Sequence, residues 1–254
     1  MLTIRQGCAL LRRRPPTAPQ PVACRLTRYY MHSQSTDDTC KLPDASSAQH
    51  SDLASFVDYA QRYGVNSQST VYVGTHYEYT VAESLARLGF SLRRVGGASD
   101  LGTDLVGTWA LPTFPRPMRV LLQCKAGVAR VGPHYVRELE GAYTGAPAGW
   151  RGNDVLAVLV CERPATRGIR NSLGRSRWPM AFLCCSRRGH LSQLLWNGRA
   201  EDEGLEGLGV AVRHADDATT PSQLILTCNG VTLGRVDDDG DVPAAVEGDF
   251  SLSI

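Results

Sequence analysis

Lysine is almost missing from this chain: of 27 Lys and Arg residues, only Lys41 and Lys125 are lysines. Lys125 ends the apolar run Val120 to Lys125, where an ammonium is costly to desolvate unless a partner compensates it. Long hydrophobic runs are also lacking. The best, Val155 to Cys161, falls far short of the ~18 residues of a membrane-spanning helix, so no transmembrane segment is expected. The eight cysteines include no C-x-x-C pair and no Cys/His spacing of the structural zinc kind. They read as free thiols in a reducing compartment.

Acidic residues are missing twice. Residues 1 to 36 hold six arginines and no Asp or Glu, with Ser, Thr and Pro interspersed, the pattern of a mitochondrial transit peptide. The spacing of Arg28 before Tyr30 resembles sites cut by the mitochondrial processing peptidase. A leader over 1–30 therefore makes the import and processing machinery the first partners and the mitochondrion, in its matrix, the expected location. Beyond the leader arginines, 21 basic residues face 25 acidic ones, so any nucleic-acid site must be a local patch. The second acid-free stretch, Arg163 to Ala200, holds eight arginines. Arg163, Arg167 and Arg170 recur at helical spacing, and Arg175, Arg177 and Trp178 follow, as on a surface that tracks phosphates. The bland alternative is a solvated helix face.

Residues 31–50 are too polar to bury a core and read as a disordered linker. Residues 51–200 carry the main folded domain. An amphipathic helix is expected behind Ser51 and Asp52. A second follows in "GTHYEYTVAESLARLGF", with Tyr77, Val81, Leu85 and Leu88 on one face and Glu78 in its first turn. Three extended segments come next: "FSLRRV", "TDLVGTWAL" and "MRVLLQCK". A helix in "GPHYVRELEGAY" and the continuous apolar strand "NDVLAVLVCE" complete an α/β (α+β) order. "PATRGIRNSLGRSRW" reads as a further helix and "PMAFLCCS" as a strand. Residues 201–254 form an acidic extension with twelve Asp and Glu, containing a hairpin about Asn229-Gly230.

Side chains alternate along a strand, so Gln123 and Lys125 share a face. A neighbouring strand brings Asp104 within reach, and the helix before the sheet adds Glu78. Asp104, Gln123 and Glu78 are oxygen ligands, suited to Mg²⁺ (or Mn²⁺), which binds through few protein groups and keeps several waters. Lys125 would orient a water and stabilise a pentavalent phosphate. Bland readings exist for each residue: a snorkelling lysine, a turn aspartate, a first-turn helix charge.

The ordered set of a helix Glu, "SDLGTDLVG" and Gln-x-Lys resembles the restriction endonuclease-like superfamily, PD-(D/E)xK, and within it the Mrr-like group. Together with "STVYVGTHYEYTV", "GPHYVRELEG" and the leader, it looks closest to the fungal mitochondrial family named required for respiratory growth protein 7. The resemblance covers roughly residues 50 to 215. It implies an αβββαβ core, a mixed central sheet flanked by helices, with Asp104, Gln123, Lys125 and Glu78 as the catalytic set. It also implies nucleic acid as partner, mitochondrial DNA ahead of RNA. One departure stands out: Gln123 replaces a carboxylate found in many superfamily members. A catalytically silent nucleic-acid-binding protein of the same fold is the alternative.

Overall fold

The computed structural model describes residues 47, 49–97, 102–127, 131–146, 149–152, 154–214 and 222–233. The expected leader, nearly all of the expected linker and the acidic run at 237–241 lie outside them.

Helix α1 (Leu53–Arg62) begins at a capping box in which the Asp52 carboxylate accepts from the Ser55 amide at 2.8 Å. Helix α2 (Thr70–Ala86) begins at Ser69, whose hydroxyl accepts from the Tyr72 amide at 3.2 Å. It therefore starts well before the expected point, and Glu78 stands in mid-helix instead of the first turn. The early turns hide in the sequence because Thr70, Val71 and Val73 are β-branched and only weak helix formers. Tyr77, Val81 and Leu85 bury as the periodicity predicts.

Strands β1 (Phe90–Arg94), β2 (Leu105–Trp109) and β3 (Met118–Lys125) form an antiparallel meander. Strands β4 (Val155–Cys161) and β5 (Met180–Cys185) run parallel to β3. Helices α3 (His134–Gly145) and α4 (Arg167–Arg175) make the crossovers. An antiparallel β6 (Leu191–Trp196) completes a six-stranded mixed sheet whose spatial order equals its chain order. The αβββαβ order expected from the sequence is present as α2, β1 to β3, α3 and β4. At Gly107 the β1 and β2 backbones approach so closely that a Cβ would lie 1.9 Å from the Ser91 carbonyl oxygen, so only glycine fits.

Two apolar layers hold the sheet. Met118, Val120 and Leu122 face α2, and Leu121 faces α3 and α4. Burying this much aliphatic surface supplies the main driving force, at ~25 cal/mol per Å² of apolar area. The C-terminal segment, expected as an acidic extension, also carries a layer of its own. A short α5 (Gly198–Ala200) and a π-helical turn (Glu201–Leu205) lead into an antiparallel sheet of β7 (Leu208–Arg213), β8 (Gln223–Cys228) and β9 (Val231–Thr232). Leu205, Leu208, Leu224 and Leu226 pack into the same core as α2. The β8–β9 hairpin turns through Asn229 and Gly230, both at positive φ.

The strand directions gather the carboxyl ends of β1, β3, β4 and β5, with the amino ends of β2 and β6, at one end of the sheet. Ligand sites in open sheets with parallel crossovers form at such an end.

Candidate active site

The β2–β3 register pairs Leu105 with Leu122, so Asp104 precedes β2 beside Gln123. The Asp104 amide donates to the Leu122 carbonyl at 2.9 Å, and the Cys124 amide donates to Asp104 Oδ2 at 2.6 Å. These bonds fix the carboxylate at the end of the sheet. Gln123 is 6% exposed, and its Oε1 is a buried acceptor without a hydrogen-bond partner. Such an atom costs about 1–3 kcal/mol unless something binds it.

Glu78 reaches the same place from α2. Its carboxylate pairs with Arg94, the last residue of β1, and both side chains are only 12% exposed. Arg94 also donates to Thr75 Oγ1 at 3.3 Å and lies over the Tyr79 ring at 5.8 Å. Gly96 shows how the two carboxylates meet: a Cβ there would lie 3.2 Å from both Asp104 Oδ1 and Glu78 Oε2. The missing side chain leaves a cradle between them. Both carboxylates also act on the Cys124 thiol; burial first, then Asp104 and Glu78, pushes its pKa well above the ordinary range.

Lys125 shares the Gln123 face, as expected, but its counter-charge comes from elsewhere. Its ammonium lies 2.9 Å from Glu138 Oε2 on α3 and 5.2 Å from the centre of the Tyr135 ring. In the sequence, "RELEG" allows Arg137 or Glu138 near the site, with a surface ion pair as the bland alternative, whereas Tyr135 and Arg94 carry no separate signal. Arg94 could have been suspected as the charge that ends a strand directly before Gly96-Gly97.

The structure thus brings Glu78 and Asp104 together around Gly96, while Gln123, on the Lys125 face of β3, turns its Nε2 toward Gly102, beside Ala142 of α3. The arginines divide. Arg163 and Arg167 lie just beyond β4, at the site end of the sheet, whereas Arg175 and Arg177 precede β5 at the opposite end. Arg170 sits between them on α4, and all five are exposed. Arg187 reaches the site end as well, where it pairs with Glu162 at 2.8 Å.

Among the described residues no group of three or more His, Cys, Asp and Glu could hold a metal ion. A cation here would rest first on the Asp104 and Glu78 carboxylates that meet at Gly96. That donor set, the orphaned Gln123 Oε1 and the Gly96 cradle fit Mg²⁺, which commonly takes few protein ligands and completes its shell with water. The described cysteines are all free thiols. No helix of the described residues is long and apolar enough to cross a membrane.

A family model described as "Required for respiratory growth protein 7" matches residues 69–116 and 112–213. An uncharacterized mitochondrial protein of Schizosaccharomyces pombe is 32% identical over 158 residues, covering 61% of this chain and 62% of that protein. The Eremothecium gossypii protein named required for respiratory growth protein 7, mitochondrial, is 31% identical over 188 residues, covering 59% of this chain and 77% of its own length. Its Saccharomyces cerevisiae namesake is 25% identical over 168 residues, covering 49% and 69%. No solved structure matches the chain.

Proposed function

Since the chain belongs to the required for respiratory growth protein 7 family, whose relatives are named mitochondrial, we propose that it works in the mitochondrial matrix as a divalent-cation-dependent nuclease of the restriction endonuclease fold. Its substrate in this reading is mitochondrial DNA ahead of RNA, and its role is genome maintenance that sustains respiratory growth. The observation that carries the reading is the meeting of the Asp104 and Glu78 carboxylates at Gly96, with the orphaned Gln123 Oε1 and Lys125 on the adjoining strand.

Asp104 and Gln123 would hold Mg²⁺ or Mn²⁺ from neighbouring strands, with Glu78 contributing from α2. The bound ion supplies charge neutralisation on the phosphate and a more acidic water. Lys125 places its ammonium where the attacking water and the non-bridging oxygens meet, and stabilises the charge that builds there. Water adds to phosphorus, the bond to the leaving oxygen breaks, and that oxygen takes a proton. Arg163 and Arg167 extend the positive surface away from the reacting phosphate, Arg170 and Arg175 continue it along α4, and Arg177 follows beyond the helix.

A second reading has its own observation. Glu78 is neutralised by Arg94 and Lys125 by Glu138, so two charges of the site are already satisfied within the chain. A catalytically silent protein that binds or organises mitochondrial nucleic acid would look this way.

The test incubates the full chain with labelled DNA and RNA in Mg²⁺, Mn²⁺ or chelator, beside Asp104→Asn and Lys125→Met. Metal-dependent cleavage abolished by both substitutions supports the nuclease. Cleavage that survives both refutes the assigned site, and binding that never leads to cleavage favours the silent protein. A companion experiment asks whether Asp104→Asn restores respiratory growth to cells lacking the protein; the nuclease reading expects that it does not.

A further inference from the structure

At the end of the main sheet away from Asp104, a cavity of about 190 Å³ opens between the start of β5 and the π-helical turn. One wall is Trp178, 39% exposed and backed by Tyr143 with ring centroids 5.3 Å apart. The Tyr143 hydroxyl donates to the Gly152 carbonyl, which fixes the ring behind the tryptophan. Arg177 adds a guanidinium for which no ion-pair or hydrogen-bond partner is found among the described residues. The opposite wall is acidic. Asp202 holds Arg199 at 3.4 Å, and Glu203 Oε2 accepts from the Asp154 amide at 3.0 Å. Each of these contacts uses one carboxylate oxygen. The turn that presents both residues is kinked at Gly204, whose φ of 121° favours glycine.

A flat aromatic face, an uncommitted guanidinium and a wall of acceptors define one kind of ligand. We propose that this cavity binds a single nucleotide: its base stacks on Trp178, its phosphate meets Arg177, and its sugar hydroxyls or exocyclic amines donate to Asp202 and Glu203. The volume is below the ~300 Å³ at which pockets for drug-sized ligands begin, so it takes one nucleotide and not a stacked pair. Exposed Arg151 and Arg175 stand at the same end of the sheet and add positive charge toward an anionic guest, whereas Arg116 is compensated by Asp154. The eight residues of β3 separate this cavity from Lys125 by about 26 Å. It is a different site from the carboxylate cradle, and it stands whether or not that cradle hydrolyses anything.

Two sources share this chemistry: a free mononucleotide, and the unpaired terminal nucleotide of a strand. The full chain is titrated in chelator, with isothermal titration calorimetry as readout, against AMP, CMP, adenosine, inorganic phosphate and short duplexes that are blunt or carry one overhanging nucleotide. Saturable binding of AMP or of the overhang is expected, tighter than adenosine or phosphate alone. Arg177→Gln and Trp178→Leu each weaken it about tenfold, and Trp178→Phe keeps most of it. An overhang that binds about tenfold more tightly than both AMP and the blunt duplex identifies a strand end; equal AMP and overhang affinities identify the free nucleotide. Absence of saturable binding overturns the proposal. So does binding that Arg177→Gln and Trp178→Leu leave unchanged, or phosphate binding as tightly as AMP.

Discussion

The Lys125 ammonium lies 2.9 Å from Glu138 Oε2, across the junction between β3 and α3. A strand-end lysine in an otherwise apolar run thus takes its counter-charge from the following helix. Because the two side chains are 24% and 45% exposed, the pair is solvent-screened and contributes at most about 1 kcal/mol to folding. Lys125→Met should therefore lower nucleic-acid cleavage about a hundredfold or more while leaving the melting temperature nearly unchanged. Cleavage assays and thermal melts on the same preparation check both halves, and full activity in the variant would remove Lys125 from the chemistry.

The Arg94–Glu78 pair is the opposite case, since little of either side chain meets solvent. Removing one member strands a buried charge. Arg94→Met should cost about 3–5 kcal/mol, and adding Glu78→Gln to it should recover a substantial part. Chemical denaturation of the wild type, both single variants and the double variant measures the coupling. Simple additivity would show that the two residues do not depend on each other.

Gln123 offers a readout that needs no turnover. If its orphaned Oε1 faces a cation, millimolar Mn²⁺ should raise the melting temperature of the wild type through ligand linkage. Gln123→Met should abolish that rise while changing stability without ligand by no more than about 1 kcal/mol, because an apolar group replaces an unsatisfied one. An identical Mn²⁺ response in the variant would exclude Gln123 as a ligand.

His50 makes folding pH-dependent. Its Nδ1 lies 2.8 Å from the Tyr79 hydroxyl, and burial, then Arg94, hold its pKa below the ordinary value, with Asp52 opposing them. The unfolded chain then binds the proton more readily than the folded one. The stabilisation is complete above about pH 6.5 and is lost as pH falls from there through the folded-state pKa. Urea midpoints measured across this range should fall with pH in the wild type and fall less in His50→Gln; parallel curves would disprove the linkage.

The buried thiols should be inert. Burial is the first cause that pushes Cys161 and Cys185 up to about 12 and raises Cys184 as well. Brief alkylation of the folded protein near neutral pH, followed by peptide mass mapping, should label Cys228 and spare these three; denaturant should expose all four. Rapid native labelling of Cys161 would contradict the packing.

Much of the fold was legible because it rests on short-range signals. Length and flanking turns marked β1 to β3, a continuous apolar run marked β4, and the Asn229-Gly230 pair marked the hairpin at β8 and β9. The start of α2 was obscured by β-branched residues. The segment "LSQLLW" of β6 gives no clean alternation, and the packing of β7 and β8 against α2 depends on contacts that sequence spacing does not encode. The site divides in the same way. Asp104 and Gln123 could be paired from strand order alone, because adjacent strands must place them together. The partners Arg94 and Glu138 are set by where helices dock, and local pattern carries little of that.

Arg94 is the last residue of an edge strand that is hydrogen-bonded along one side only. Edge strands fray, and opening of this one would carry the guanidinium away from Glu78. The net charge around Gly96 is then tied to a local unfolding equilibrium: a closed β1 muffles one carboxylate, and an opened β1 hands its charge back to the cradle. Amide hydrogen exchange in β1 would register this coupling, quickening in Glu78→Gln if the ion pair pins the strand and staying unchanged if the ladder to β2 alone holds it. Strand breathing and cation capture would in that way be two readings of a single thermodynamic balance.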